Sequence, residues 1–187
     1  MIRKYEENSD IELFDLLKSD RETAEKAFAE LYARHSPRVY AYCRRFLGDK
    51  DDAQDVFQET FIRFYQSADS KRVMTNVPAF ILKIARNLCV NNKSRQSSHY
   101  SFEEYMAIAD NIRPEDNELL GLIKHALELL PDEYREIFIM REYNGLSYNE
   151  IAEVTNLSMS LVKVRIHRAR QKLREILSPY LADLSKY

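Results

Sequence analysis

An all-α fold is what this sequence predicts: two small helical domains joined by a flexible linker, the second ending in a helix-turn-helix. Three observations carry that expectation. Glycine is scarce, three in 187 residues, and no stretch alternates apolar and polar side chains as a half-buried strand does. Apolar residues recur instead every three or four positions, the spacing that gathers them on one side of a helix. Several of these runs follow residues that cap helix starts, among them Asp20, Ser147 and Ser158.

In chain order, Asp20 caps a helix beginning at Arg21 that carries Ala24, Ala27, Phe28, Leu31 and Tyr32 inward. Pro37 predicts a break or kink before a segment over residues 39–47, which Gly48-Asp49 closes. Residues 52–66 form the next helix, with Val56, Phe57, Thr60, Phe61 and Phe64 facing the core. After a polar connection, Pro78 opens a helix running to about Arg95, in which Val77, Ile81, Ile84 and Leu88 bury one side. Residues 96–117, with Ser97, Ser98, Asn111, Pro114 and several acids, read as the linker. A helix over 118–130 follows, then a second starting at Pro131, where Asp132 and Glu133 suit the positive end of a helix dipole. The domains are therefore expected at 1–95 and 118–187.

The segment from Leu146 to Arg170 is the most specific in the chain. Ser147-x-x-Glu150 has the form of a capping box opening a helix whose Ile151, Ala152 and Val154 face inward. Asn156 sits in the turn, where its tolerance of a left-handed backbone is needed, and Ser158 caps a second helix beginning near Met159. On that helix Val162, Ile166, Ala169 and Leu173 form one apolar stripe, while Ser160, Lys163, Val164, His167, Arg168, Gln171 and Arg174 spread over the opposite side. Arg165 and Arg170 lie on the flanks, where they are expected to meet phosphates or acidic neighbours rather than bases. Such a unit presents its second helix to the DNA major groove.

Charge is sorted along the chain. The net charge is −2, which on its own argues against a nucleic-acid binder. Yet residues 70–102 contain no acid and six bases, Lys71, Arg72, Lys83, Arg86, Lys93 and Arg95. Residues 154–174 again contain no acid and six bases, Lys163, Arg165, Arg168, Arg170, Lys172 and Arg174. Twelve of the 28 cations fall in these stretches, leaving 16 bases against 30 acids elsewhere. Counterion release rewards local rather than global positive charge, so the pattern implies two separate nucleic-acid contacts on an anionic body. In the first stretch Lys83, Asn87, Asn91 and Arg95 repeat every four residues as a ladder of cations and amides, suited to phosphates and base edges. Phe80 and the nearby Phe57, Phe61, Phe64 and Tyr65 are expected to be mostly core, with any exposed member able to stack on an unpaired base.

These residues together resemble the extracytoplasmic-function (ECF) sigma factors, the two-domain promoter-recognition subunits of bacterial RNA polymerase, from about Ala24 to Leu177. Asp52-Ala-Gln-Asp-Val-Phe-Gln-Glu-Thr-Phe61 is similar to the family's polymerase-clamp helix, and Pro78-Ala-Phe-Ile-Leu-Lys-Ile-Ala-Arg-Asn87 to its promoter-melting helix. Leu130-Pro-Asp-Glu-Tyr-Arg-Glu136 and Val162-Lys-Val-Arg-Ile-His-Arg-Ala-Arg170 are similar to its C-terminal domain. The resemblance implies polymerase binding through Asp52, Asp55, Gln58 and Glu59. It implies opening of the −10 element by Phe80, Lys83, Arg86, Asn87, Asn91 and Arg95, with residues 66–76 as the base-capturing loop. It implies reading of the −35 duplex by Ser160, Lys163, Val164, Arg165, His167 and Arg168. The acidic linker, with Glu103, Glu104, Asp110, Glu115 and Asp116, is similar to the interdomain segment that threads the polymerase's RNA path.

The expected partners are core RNA polymerase, promoter DNA and an anti-sigma factor, with the protein monomeric when free. Family members often carry Trp at the position of Phe80, Asp at Asn91, Thr at Leu161 and Gly at Asn156; these departures bear on the preferred promoter sequence. The competing expectation is a free-standing helix-turn-helix regulator whose first lobe senses or dimerises. No nucleophile with a base, phosphate loop or carboxylate cluster for a cation suggests an enzyme. No cofactor is expected either, and His35, His99 and His125 share no metal-ligand spacing. Cys43 and Cys89 lack partners in a ligand pattern and read as packing residues. No apolar run approaches a membrane span and the start is polar, so a cytosolic protein is expected.

Overall fold

The computed structural model describes residues 3–69, 74–96 and 118–184, and within them every regular element is helical. The chain divides into two compact units, Met1–Asn92 with Glu153–Thr155, and Lys93–Ala152 with Asn156–Tyr187.

The first unit opens with two helices that the sequence reading did not anticipate, α1 (Arg3–Glu6) and α2 (Asp10–Leu16). The start of α2 has a plain local cause. Ser9 Oγ accepts from the Glu12 amide at 3.3 Å, and Glu12 Oε2 accepts from the Ser9 amide at 2.7 Å, a reciprocal capping box. The long α3 (Arg21–Leu47) starts where Asp20 accepts from the Thr23 amide at 3.2 Å, and ends at Gly48, whose φ of 79° only glycine adopts cheaply.

Pro37 does not break this helix: α3 runs through it. Proline removes one backbone hydrogen bond and crowds the carbonyl four residues earlier, at a cost of about 3 kcal/mol. Leu31, His35, Val39, Tyr42, Cys43 and Phe46 are buried on both sides of it. At roughly 1.5–3 kcal/mol for each large apolar side chain, that burial outweighs the proline.

Asp49 then caps α4 (Lys50–Gln66), accepting from the amides of Asp51 and Asp52 at 2.8 and 2.9 Å, so the helix starts two residues earlier than expected. Val56, Phe57, Thr60, Phe61 and Phe64 face the core as expected, and buried Thr60 returns its hydroxyl to the Val56 carbonyl at 2.7 Å. Phe64 joins the elements of this unit, 5.6 Å from Phe14 and 6.3 Å from Phe80 between ring centres. The last helix here, α5 (Val77–Gln96), begins where Asn76 Oδ1 accepts from the Ala79 amide at 3.0 Å. Val77 and Ile81 are fully buried, as are Ala85 and Cys89; Ile84 and Leu88 are half-buried.

In the second unit, α6 (Glu118–Glu128) precedes α7 (Asp132–Phe138), with Pro131 at the helix start. A single π turn, Ile139–Tyr143, continues α7; it closes with the Asn144 amide on the Ile139 carbonyl at 3.1 Å. Then come α8 (Tyr148–Thr155) and α9 (Met159–Leu184). A core of Ala126, Leu127, Leu130, Tyr134, Ala169 and Leu173 joins α6, the start of α7 and α9. Residues 97–117, which hold most of the expected linker and all its named acids, lie outside the described residues, as do 70–73 of the expected base-capturing loop.

Candidate nucleic-acid interface

The helix-turn-helix is built from three local devices. Ser147 and Glu150 cap α8 reciprocally, at 3.2 Å to the Glu150 amide and 2.8 Å to the Ser147 amide. Asn156 stands at φ 55°, ψ 35°, the left-handed turn that its short polar side chain tolerates. Ser158 Oγ accepts from the Leu161 amide at 3.3 Å, starting α9, and lies 3.0 Å from Ser160 Oγ.

On α9 the apolar stripe Val162, Ile166, Ala169 and Leu173 is buried, and Ser160, Lys163, Val164, His167, Arg168, Gln171 and Arg174 are all exposed. The flanking cations go elsewhere. Arg165 is half-buried with its guanidinium 2.6 Å from Glu133 at the start of α7. Arg170 reaches Glu142 through two nitrogens at 2.6 and 3.2 Å. Exposed Arg168 comes only to 3.5 Å of the Tyr134 hydroxyl, a weak tether that leaves its charge at the surface. The acids of α7 and the π turn thus hold the two flanking arginines, while Lys163 and Arg168 keep their charge facing solvent.

On α5, Asn87 and Asn91 are exposed and Phe80, Lys83 and Arg86 are half-buried, with Arg86 Nη1 3.5 Å from Asn87 Oδ1. The side chain of Arg95 lies outside the described residues. Within the aromatic group, Phe57, Phe61 and Phe64 are core and Tyr65 is exposed. On α4, Asp55 and Gln58 are exposed; half-buried Asp52 accepts from Asn92 Nδ2 at 3.3 Å, and Glu59 pairs with Arg63 at 2.6 Å. Beside this acidic side runs an open apolar groove lined by Phe28, Tyr32, Phe57, Phe61, Ile62 and Tyr65. Among the described residues no group of histidines, cysteines and carboxylates is arranged to hold a metal, and no helix is long and apolar enough to cross a membrane.

A residue quoted from the sequence only within a motif ties the end of α6 to α7. Arg135 is 6% exposed and donates from Nε to the Leu127 carbonyl at 2.8 Å and from Nη2 to the Leu130 carbonyl at 3.0 Å, with the Glu128 carbonyl also in reach. The guanidinium closes the carbonyl end of α6, where helix geometry leaves acceptors unpaired. In the sequence it stood inside the family-like segment Leu130–Glu136 without a role of its own, a cation one turn after a proline-opened helix start, a pattern shared by many exposed arginines.

Two family models match the chain, "Sigma-70 region 2" over residues 31–99 and "Sigma-70, region 4" over residues 120–173. An ECF RNA polymerase sigma factor of Bacillus subtilis, SigW, is 31% identical over 174 residues, covering 85% of this chain and 93% of that protein. The chain belongs to the ECF RNA polymerase sigma factors. Another relative, the sigma factor SigE of Mycolicibacterium smegmatis, is 31% identical over 88% of this chain and 67% of its own. The fold of this sigma factor is also that of solved structures: RpoE of Bartonella quintana, solved with the anti-sigma factor NepR, at TM-score 0.66 and 24% identity over 82% of this chain and 98% of that one. CnrH, solved with the cytosolic domain of CnrY, gives TM-score 0.68 at 23% identity, covering 91% and 99%. A region 2 match across α4 and α5 disfavours the free-standing regulator, which has no need of a sigma factor's first lobe.

Proposed function

We propose that this sigma factor divides promoter recognition between its two lobes, with residues 1–95 gripping core polymerase and opening the −10 element, residues 96–117 linking, and residues 118–187 reading the −35 duplex. The observation that carries the reading is the sorting of cations on α9. Glu133 and Glu142 draw Arg165 and Arg170 aside, and Ser160, Lys163, Val164, His167 and Arg168 are left as an exposed face. Such a face suits the major groove, where phosphate contacts fix register and base edges give sequence. Arg165 then acts from the rim of the interface, its charge shared with Glu133.

On the first lobe, exposed Asn87 and Asn91 with Lys83, Arg86 and Arg95 meet the separated strand, and Phe80 supports the base that leaves the stack. Unstacking costs a few kcal/mol, which phosphate contacts and a shaped pocket offset without a chemical step, so the protein needs no catalytic residue or cofactor of its own. Asp52, Asp55, Gln58 and Glu59 present the polymerase-binding side of α4. A monomer working in the cytoplasm fits this role. The Bartonella quintana relative is held by an anti-sigma factor, and a partner of that kind covering α4 would block polymerase.

The test is reconstitution. Purified protein is expected to bind core polymerase and, only in that complex, to start transcription from a cognate promoter. Arg168→Ala is expected to weaken upstream binding, and Asn87→Ala to slow strand opening on a duplex promoter while sparing a pre-melted one. Sequence-specific duplex binding with no affinity for core polymerase would overturn the proposal.

A further inference from the structure

The outward side of α9 has an apolar centre. With Val162, Ile166, Ala169 and Leu173 as the buried pole, a turn of about 100° per residue puts the opposite pole within roughly 10° of Val164. Val164 is 44% exposed. Around it stand the exposed Ser160, Lys163, His167 and Arg168. An isopropyl group at the middle of a polar, cationic face gains nothing from water, and its branched Cβ holds it in one strongly preferred rotamer.

We propose that Val164 reads the 5-methyl group of a thymine in the upstream promoter duplex, an inference that rests on the duplex-reading role given to α9 above. Charge complementarity names the occupant: Lys163 and Arg168 flank the valine and draw the phosphate backbone of DNA. The groove chemistry then selects the base. Guanine, adenine and cytosine present only hydrogen-bonding groups in the major groove, whereas thymine adds a methyl group. Pressing an isopropyl group on a guanine N7 or a cytosine amine removes their water and gives no hydrogen bond back. Against a thymine methyl the same contact buries apolar surface on both partners.

The experiment uses the full chain with core polymerase. Upstream duplexes are selected from a randomised library, and each enriched thymine is then replaced singly by deoxyuridine, which removes the methyl group alone. At one thymine the replacement is expected to weaken binding about fourfold, the worth of one buried methyl group. In Val164→Ser that penalty is expected to vanish, while the slope of affinity against salt stays as in the parent. Lys163→Ala is expected to lower that slope by about 0.9 and to keep the uridine penalty. A uridine penalty equal in parent and Val164→Ser, or none at any enriched thymine, overturns the methyl contact and leaves duplex reading standing. Failure to enrich any duplex sequence overturns both. Because Val164 points outward, Val164→Ser is expected to melt within a few degrees of the parent, and a thermal scan checks it.

Discussion

Arg135 is a case of one side chain finishing another element's backbone. Its guanidinium donates to the Leu127 and Leu130 carbonyls at the end of α6, Leu127 also accepting from the Leu130 amide at 3.2 Å, and it does so while buried. Replacing it strips a buried charged donor from both carbonyls and leaves Leu127 with the Leu130 amide alone, so Arg135→Leu is expected to cost the second unit about 2–4 kcal/mol. Arg135→Lys is expected to recover little, since an ammonium lacks the planar fork that spans two carbonyls. Urea titration of the full chain measures both; an unchanged midpoint for Arg135→Leu would show that α6 ends without this support.

His35 gives the first unit a dependence on pH. Its Nε2 lies 2.8 Å from Asp10 Oδ2 at the start of α2, next to Arg34, which binds Asp10 Oδ1 at 2.9 Å and the Asn8 and Glu6 carbonyls at 2.9 Å. Burial holds the imidazole below its ordinary 6.5; the Asp10 carboxylate pulls the other way, and Arg34 and Arg38 add to the lowering. The unfolded chain therefore binds this proton more readily than the folded one. Stability from His35 is complete above pH 6.5 and falls as pH drops from there through the folded value. The difference between parent and His35→Gln melting curves is expected to shrink over that interval, and a difference independent of pH would refute the assignment.

At the scale of elements, the helix-turn-helix depends on a backbone turn as well as on its buried stripe. Asn156 is the only described non-glycine residue with positive φ. Asn156→Gly is expected to leave stability within about 1 kcal/mol of the parent, and Asn156→Val to lose about 1–2 kcal/mol from the left-handed strain of a branched side chain. Duplex binding should follow the same order, read by thermal scans and by titration with an upstream duplex. This turn was legible in the sequence because its cause is local, as were the caps at Asp20, Ser147 and Ser158 and the buried stripe of α9. The continuity of α3 through Pro37 was not, since the proline rule is also local and the burial that overrides it comes from neighbouring helices. Nor were α1 and α2 read, although Ser9-x-x-Glu12 repeats the capping pattern of Ser147-x-x-Glu150: α1 and α2 are short, and α2 is anchored by Arg34, 24 residues beyond Asp10. The reading face of α9 was visible as a set of residues, with Arg165 and Arg170 set apart on its flanks for phosphates or acids, but that they meet acids, and that these are Glu133 and Glu142, required the packing of α7 and the π turn against α9.

For the whole molecule, that division of cations decides how affinity answers to salt. The sequence counts six bases between Val154 and Arg174, and if each neutralised a phosphate the logarithm of affinity would fall with a slope near −5 against the logarithm of salt. Arg165 and Arg170 are already paired inside the second unit, at 2.6 Å each. Releasing counterions through them would first mean parting from their carboxylates, so at most Lys163, Arg168, Lys172 and Arg174 contribute, and the slope is expected to be no steeper than about −4. Glu133→Gln removes the charge that holds Arg165. It is expected to steepen the slope by about 1 and to raise affinity for unrelated duplexes at low salt as much as for the selected one, because a freed cation adds phosphate attraction without base readout. Titrations of the full chain with matched and scrambled duplexes over a range of salt check both numbers. A parent slope near −5 would mean that DNA opens the Glu133 and Glu142 pairs on binding, and that the anionic body surrenders its hold on the second helix of the motif whenever it meets a promoter.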